Sequence, residues 1–353
     1  MMPARVKIGY EDLDRDVISA GLCTSCAACY AICPIQVIGF DLSNPKPRLI
    51  GECVKCGLCY NVCPQTLTNL DELEAKIFGL EKSSEASYGY YERIYEARSL
   101  DPRILNVAQD GGVVTSILCY ALKSRLVDAV LATKPSEDDP FNPIPSIATT
   151  IDEVIGCAGS RYSLAPIFYL FREAGRMGVK SIACVGMPHI ATAARRISGY
   201  RIKGVESRLN LVIGLFCFEA FPYDKLRSTL ASKLNLPEQS LYRLNIKHGK
   251  FIAKLRDGRI LEIPIRRAAV KPYDCCLSCR DFSARLADIS VGSLGLEGWN
   301  IVIARKKDAA KLLEEAAELG LITIREPSPQ TLENLEKLTK LKMNRRAERL
   351  SIS

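Results

Sequence analysis

From Leu105 onward the chain switches between two hydrophobic periods. VVTSILCYALKSRL repeats apolar residues every three or four positions and predicts an amphipathic helix, whereas VDAVLAT is a short unbroken apolar run and predicts a buried strand. SIATT predicts another strand, DEVIGCAGSRYS a helical turn running into a glycine-rich loop, and LAPIFYLFREAGRMG a helix stopped by glycine. VKSIACVGMPHIATAARRISGY reads as strand, tight turn and helix; LNLVIGLFCF is a strand and FPYDKLRSTLASKL a helix. LYRLNIKHGKFIAKLRDGRILEIPI predicts three antiparallel strands turning at HGK and RDGR. ADISVGSLG and NIVIAR are strands, DAAKLLEEAAELG a helix and LITIRE a strand. TLENLEKLTKLKMNRRAERL is a basic helix whose charges predict a solvated or docking face.

Upstream of Leu105 neither period is sustained. LSNPKPRLIGE carries two prolines and predicts an irregular connector, and EKSSEASYGYYERIYEARSLDPR is polar enough to predict a linker strapped across the next domain. Its tyrosines Tyr88, Tyr90, Tyr91 and Tyr95 predict packing anchors. The pattern therefore predicts a mixed α+β fold divided as 1–72, a linker over 73–104, a larger domain over 105–327 and a terminal helix over 328–353.

Length and charge narrow this picture. A chain of 353 residues is long enough for the small first domain and a larger one with an apolar core of its own. The longest apolar stretch, LNLVIGLFCFEAF, is strand-like and too short to span a bilayer. MMPARVKIGYEDLDRD has no apolar core region of the kind a signal peptide carries, so a cytoplasmic location is expected. Lys and Arg number 48 against 40 Asp and Glu, for a net charge of +8, and the first 70 residues are balanced, so the excess lies downstream. A basic body suits a polyanionic ligand or an acidic partner surface, and equally a simple solubility charge. No basic run is interleaved with aromatic residues, so nucleic acid is not an expected partner.

The cysteines supply the chemistry. CTSCAACYAICP from Cys23 and CVKCGLCYNVCP from Cys53 share the spacing CxxCxxCxxxCP, the arrangement by which bacterial-type ferredoxins hold a pair of [4Fe-4S] clusters, each repeat lending its last cysteine to the other. Cys23, Cys26, Cys29 and Cys63 are thus expected to ligate one cluster, and Cys53, Cys56, Cys59 and Cys33 the second. Three thiolates on one tight loop meet three corners of a cube, and the fourth corner is met from elsewhere. Zinc would need four thiolates per site and no third cysteine at this interval. Of the 15 cysteines, the odd remainder of Cys119, Cys157, Cys184, Cys217, Cys275, Cys276 and Cys279 argues against a disulfide framework. Cys119 and Cys157 are expected to pack.

Three loops in the larger domain can receive a cofactor. QDGGVVTS places Gly111 and Gly112 at a helix start, where bare amides and the helix dipole can meet a pyrophosphate or a flavin edge. AGSRYS offers Arg161 and Tyr162 on a glycine-initiated turn, and ADISVGSLG carries Asp288, Ser290, Gly292, Ser293 and Gly295 in and beyond a strand. None has the GxGxxG pattern, so a Rossmann dinucleotide site is not expected.

The succession QDGGVVTS, AGSRYS, VGMPH, GLFC, CLSCRDF, ADISVGSLG and GW resembles the flavin-containing beta subunits of coenzyme F420-reducing hydrogenases and their relatives, over nearly the whole stretch from Cys23 to about Arg305. The resemblance implies one FAD, with Gly111, Gly112, Thr115, Ser160, Arg161 and Asp288 as expected contacts. It implies a ferredoxin-type domain fused to a flavin-binding mixed α/β domain, and a third cubane near the flavin held by Cys217, Cys276 and Cys279. The family's fourth ligand is a cysteine where this chain has His189. Either His189 ligates iron, as imidazole does in some clusters, or Cys275 or Cys184 supplies a thiolate, or the cluster is absent.

The function implied is an F420-dependent oxidoreductase subunit that exchanges hydride with F420 at FAD and passes single electrons through its clusters. The implied partners are other subunits of a hydrogenase, an F420H2 dehydrogenase, or a heterodisulfide or sulfite reductase complex, without a membrane span of its own but compatible with a peripheral place on a membrane complex. A ferredoxin-dependent reductase of an organic substrate, or a non-catalytic wiring subunit, would use the same parts. Arg266, Arg267 and Lys271 are expected to receive the anionic tail of F420.

Overall fold

A computed structural model describes residues 7–67, 69–82, 84–137, 139–200 and 209–350, with side chains up to residue 344. The amino-terminal module consists of α1 (Tyr10–Leu13), α2 (Ala28–Ile32), the hairpin β1 (Ile38–Phe40) and β2 (Pro47–Leu49), and α3 (Leu58–Val62), with α4 (Leu70–Phe78) leading away. Its two cysteine repeats fold as the same turn made twice. Ser25 and Ala27 in the first, and Lys55 and Gly57 in the second, take left-handed backbone conformations. That geometry turns the Ser25 amide onto Cys23 Sγ and the Lys55 amide onto Cys53 Sγ, both at 3.4 Å. LSNPKPRLIGE, expected to be irregular, instead contributes β2, because Arg48 and Leu49 pair back onto Gly39 and Ile38.

The body follows as β3 (Arg93–Ser99), α5 (Pro102–Val107), α6 (Val113–Lys123), β4 (Ala129–Pro135), β5 (Pro143–Ala148), α7 (Ile151–Gly156), α8 (Phe171–Arg176), β6 (Ile182–Gly186), α9 (Pro188–Ser198) and β7 (Leu209–Leu215). Then come α10 (Tyr223–Lys233), the small antiparallel sheet β8 (Leu241–Lys247), β9 (Lys250–Leu255) and β10 (Ile260–Pro264), and the short helices α11 (Ile265–Ala268) and α12 (Asp274–Leu277). The chain closes with β11 (Ile289–Gly292), β12 (Asn300–Ala304), α13 (Lys307–Glu318), β13 (Ile322–Arg325) and α14 (Pro329–Leu350). The main sheet has eight strands in the order β13-β3-β12-β11-β7-β6-β4-β5.

β4, β6, β7 and β11 run parallel, so their carboxyl ends share one edge. These strands read as unbroken apolar runs because both faces are covered. Val130 and Val185 face α6 and α13, while Leu131 and Cys184 face α8, α9 and the amino-terminal module. On the β3 and β12 side that second face is closed by α14, through Leu332, Leu335 and Leu338 against Ile94, Ile301 and Ile303. Among the described residues no helix is long and apolar enough to cross a membrane.

The linker expected over 73–104 is corrected by the structure. α4 occupies its start, and Arg93–Ser99 is an interior strand between β12 and β13. The polar letters misled because the strand's charged side chains are satisfied in place: Glu96, 3 % exposed, accepts from Arg325 and Thr331. The intervening chain is pinned by buried arginines. Arg305 donates to the carbonyls of Tyr88 and Tyr90, and Arg285 to Glu74 on α4 and to Asp71. Tyr88 and Tyr95 are buried as anchors, whereas Tyr91 is exposed.

Candidate redox centres and flavin loops

Two cavities open in the amino-terminal module, and their walls sort the eight cysteines. One is lined by Cys23, Cys26, Cys29 and Cys63. The other is lined by Cys53, Cys56, Cys59 and Cys33. Each repeat thus sends its last cysteine across to the other's cavity, because α2 and α3 each end at an extended cysteine before a proline, which swings the thiol away from its own loop. The thiols ring a space: among the described residues, no three His, Cys, Asp or Glu side chains converge on a single ion-sized point. Burial pushes the thiol of Cys26 up to about 11 and those of Cys59 and Cys63 up to about 12. Such groups hold their protons at neutral pH, so binding a cluster through their sulfurs would release protons to solvent.

The module is held against the body by arginines that sequence reading missed. Arg172 on α8 donates to the carbonyls of Tyr30 and, at 3.1 Å, Cys33; Arg196 on α9 donates to the Cys63 carbonyl and, at 3.1 Å, to Thr66 Oγ1. The backbones of the two exchanged cysteines are thus both gripped by arginines of the body, while the Phe168 amide holds the carbonyl of Cys26. Planar guanidinium forks suit carbonyl pairs of this kind. No local motif marks them, since each lies well over a hundred residues from its target.

A third group of cysteines lies where the sheet edge meets the module. Cys217 follows β7, its amide donating to Phe282 O. Cys276 and Cys279 sit on the α12 turn, where Cys276 Sγ accepts from the Ala220 amide at 3.4 Å. A hydrogen bond from the Cys275 thiol lowers the pKa of Cys276 and favours its thiolate, against the effect of burial. Burial pushes Cys217 up to about 12.

His189, the second residue of α9, is partly buried, with its Nε2 enclosed and without a hydrogen-bond partner. Burial, followed by the nearby Lys342 ammonium, lowers its pKa to about 3, which leaves the imidazole neutral with a lone pair to offer. An enclosed, unpartnered ring nitrogen is a costly feature unless something takes its place as partner. Of the alternatives, Cys184 faces the apolar core within β6 and feels Cys26 instead. Cys275 lies between the two regions: its ionisation is opposed by Cys276, Cys279 and Cys23. Asp274, its neighbour, approaches Gly21 in the module. Cys119 and Cys157 pack against the sheet core, as expected.

The glycine loop lies at the carboxyl edge of the sheet. Gly111 presses on Asn300 and on the Ala97 carbonyl, where a Cβ would come within 2.8 Å, and Gly112 starts α6 at φ +72°. Thr115 is buried on the first turn of α6. The Ser160–Arg161 loop joins it through Arg243, whose Nη2 donates to the carbonyls of Val107 and Ala108 while lying 3.4 Å from where a Gly159 Cβ would stand. Arg161 spends Nη1 and Nη2 on the carbonyls of Thr133, Cys157, Gly159 and Ala158, leaving Nε buried without a partner. Gln109 Oε1 on the glycine loop is likewise enclosed and unpartnered. Lys247 pairs with Asp110 here, and His248 closes on Gly295.

The structure does not bring Asp288 to these loops. It sits at the start of β11, the opposite sheet edge, where its carboxylate takes Arg195 at 2.6 Å, Lys306 at 2.8 Å and the Val212 amide at 2.8 Å. Burial opposes its ionisation, but Arg195 and Lys306 outweigh that and hold its pKa below the usual carboxylate value.

Known proteins place this architecture. Residues 22–73 match a 4Fe-4S dicluster domain, 94–172 the amino-terminal region of the coenzyme F420 hydrogenase/dehydrogenase beta subunit, and 179–330 its carboxyl-terminal region. The coenzyme F420 hydrogenase subunit beta of Methanothermobacter thermautotrophicus is 32% identical over 66% of this chain and 84% of its own, and that of Methanosarcina barkeri 32% over 73% and 90%. In three dimensions the chain is similar to one from the F420-reducing [NiFe] hydrogenase complex of Methanosarcina barkeri, with a TM-score of 0.70 and 28% identity over 75% of this chain and 93% of that one. The chain belongs to the coenzyme F420 hydrogenase/dehydrogenase beta subunit family and carries a 4Fe-4S dicluster domain at its amino end.

Proposed function

We propose that this chain is the electron-exchange subunit of a larger redox complex, taking hydride from or returning it to F420 at a bound FAD and passing single electrons through three [4Fe-4S] clusters. The observation that carries the reading is the succession of candidate sites from the sheet edge to the module. The glycine and Arg161 loops lie at the sheet edge, the Cys217, Cys276 and Cys279 group stands beside that edge, and Cys275 bridges toward Cys23. Beyond Cys23, the two four-cysteine cavities share the module's small core.

Bound at the loops, FAD would supply the conversion between paired and single electrons that neither a deazaflavin nor a cubane performs alone. The chain's own part is to bind and orient. With Gly112 as its N-cap, α6 has no capping side chain of its own, Asn300 Oδ1 accepts from the Val113 amide at 3.3 Å, and the helix start can face a pyrophosphate. Gln109 Oε1 and Arg161 Nε stand ready as acceptor and donor. At the third site, Cys217, Cys276, Cys279 and the neutral His189 form the ligand set, and eight module cysteines serve the other two. F420 carries phosphate and carboxylate groups. Arg266 and Arg267, exposed on α11 next to the His248–Gly249 turn that approaches Gly295, would receive these groups.

Protein prepared without oxygen and loaded with FAD should bleach F420H2 with a viologen as acceptor; full flavin occupancy with no bleaching would sink the proposal. His189→Ala should lose iron and alter the reduced-state electron paramagnetic resonance spectrum. Unchanged iron and spectrum would exclude the imidazole as a ligand. Reversing the charge of Arg266 and Arg267 should raise the apparent KM for F420 and leave dye reduction from the clusters as it was.

A further inference from the structure

Lys342 lies beyond residue 330, where the family-model match ends, on a helix whose sequence predicts a solvated or docking basic face. The structure turns part of that helix inward. Leu335, Thr339 and Lys342 follow one another at four- and three-residue intervals along a buried stripe, which presses on the aromatic and aliphatic group around Phe216, Phe218 and Phe282. A lysine thus occupies a position where the pattern calls for an apolar residue, and it is only 4 % exposed. Its Nζ donates to the Cys217 carbonyl at 2.6 Å. By contrast Lys340, two residues away, is exposed and pairs with Glu336.

A buried ammonium is expensive unless negative charge compensates it. Among the described residues no carboxylate lies within ion-pair distance of Lys342. The groups around it are the thiols of Cys279, Cys217 and Cys276 and the buried Asp281. Asp281 is a weak counter-charge, because both its oxygens already accept from the Arg285 amide. Neutral thiols would not balance the cation, whereas a thiolate-ligated iron-sulfur cluster is anionic and gains one further negative charge when it takes up an electron.

We propose that Lys342, delivered by the carboxyl-terminal helix, is a positioning residue that sets the reduction potential of the cluster at Cys217, Cys276 and Cys279, favouring its reduced form. This rests on the third-cluster reading above. The step concerned is the arrival of one electron at the cluster from the two-electron donor's side; no covalent bond forms or breaks, and the fixed ammonium offsets the added charge without a proton being taken up. The same helix covers Phe216 and Phe218 beside Cys217, so the group that supplies the charge also keeps water from screening it.

The test is a redox titration of the full, reconstituted chain followed by electron paramagnetic resonance, alongside iron analysis. Lys342→Met, which keeps volume and drops charge, should lower the reduced-to-oxidised ratio of one cluster signal about tenfold at the wild-type midpoint, or about 59 mV for one electron. The other two signals should stay in place. Lys342→Arg should restore the wild-type value, and Lys340→Met should change nothing. Three clusters with unmoved potentials in Lys342→Met would overturn the proposal alone, whereas wild-type protein binding iron for only two clusters would overturn the third-cluster reading with it. If Lys342→Met does not retain the third cluster, Lys342→Gln, which keeps a donor for the Cys217 carbonyl, is read in the same way. Loss of the cluster in both neutral variants with retention in Lys342→Arg supports the proposal, and loss in Lys342→Arg as well refutes it.

Discussion

The cysteines of the module and those at the sheet edge hold their sites by opposite means. In the module, six of eight thiols come from two tight loops, and left-handed residues such as Ala27 and Gly57 shape each loop before the rest of the chain is considered. At the sheet edge, Cys217 follows a strand, Cys276 and Cys279 lie on a turn some sixty residues later, His189 opens a helix from before both, and Lys342 arrives from the last helix. Where ligands are neighbours in the chain, spacing encodes the site. Where they are gathered by a sheet, only the completed fold does.

The largest effect that can break this comparison is expected at the exchanged cysteines. Cys63→Ser should abolish the cluster signal of the Cys23, Cys26 and Cys29 loop while the signal of its own repeat survives, as read by electron paramagnetic resonance and iron content. Loss of the other signal instead would mean that the repeats serve themselves. Next comes Asp288→Asn, which leaves Arg195 and Lys306 without their counter-charge and should cost about 3–5 kcal/mol in chemical denaturation. Flavin stoichiometry of the folded protein should not change, since Asp288 lies away from the loops. Because the folded pKa of this carboxyl is depressed, its contribution is present above the ordinary aspartate value near 4 and is lost as the pH falls below it.

Arg196→Ala should cost less, about 1.5–3 kcal/mol for charged hydrogen bonds to a carbonyl and a hydroxyl. It should also speed iron loss from the module and leave the Cys276 site intact, sharpening the division between the two regions. Iron uptake by the unloaded chain should weaken as the pH is lowered from 8 to 6, since every protonated thiol must release its proton, and a pH titration of reconstitution reads this directly. Smallest of all, Lys271→Ala removes an exposed ion pair with Asp274 and should shift stability by less than about 1 kcal/mol.

Most of the strands and helices downstream of residue 105 are legible in the sequence because β4, β6, β7 and β11 are apolar on both faces and each connecting helix carries an apolar stripe. β3 is not. RIYEARS holds charge at three of seven positions, and its place inside the sheet depends on Arg325 and Thr331, far along the chain, to satisfy Glu96. The ferredoxin-like motifs are legible to the residue, and the glycine loop emerges as a pair with the Arg161 loop. Asp288 misleads for a physical reason: an aspartate beside a glycine-rich turn looks the same in sequence whether it faces a ligand or two buried cations. Lys342 is visible only as a lysine interrupting the stripe begun by Leu335, and a basic helix hides such an interruption well.

β3 hydrogen-bonds to β12 and β13, whose residues lie two hundred and more positions downstream. During synthesis the strand that directly follows the dicluster module emerges early and stays unmated until nearly all of the remaining chain has left the ribosome. The iron-binding loops are thus presented for loading long before Arg172 and Arg196 can lock them to a finished sheet, so a chain cut short near its carboxyl end leaves a metal-carrying head on a body that cannot close.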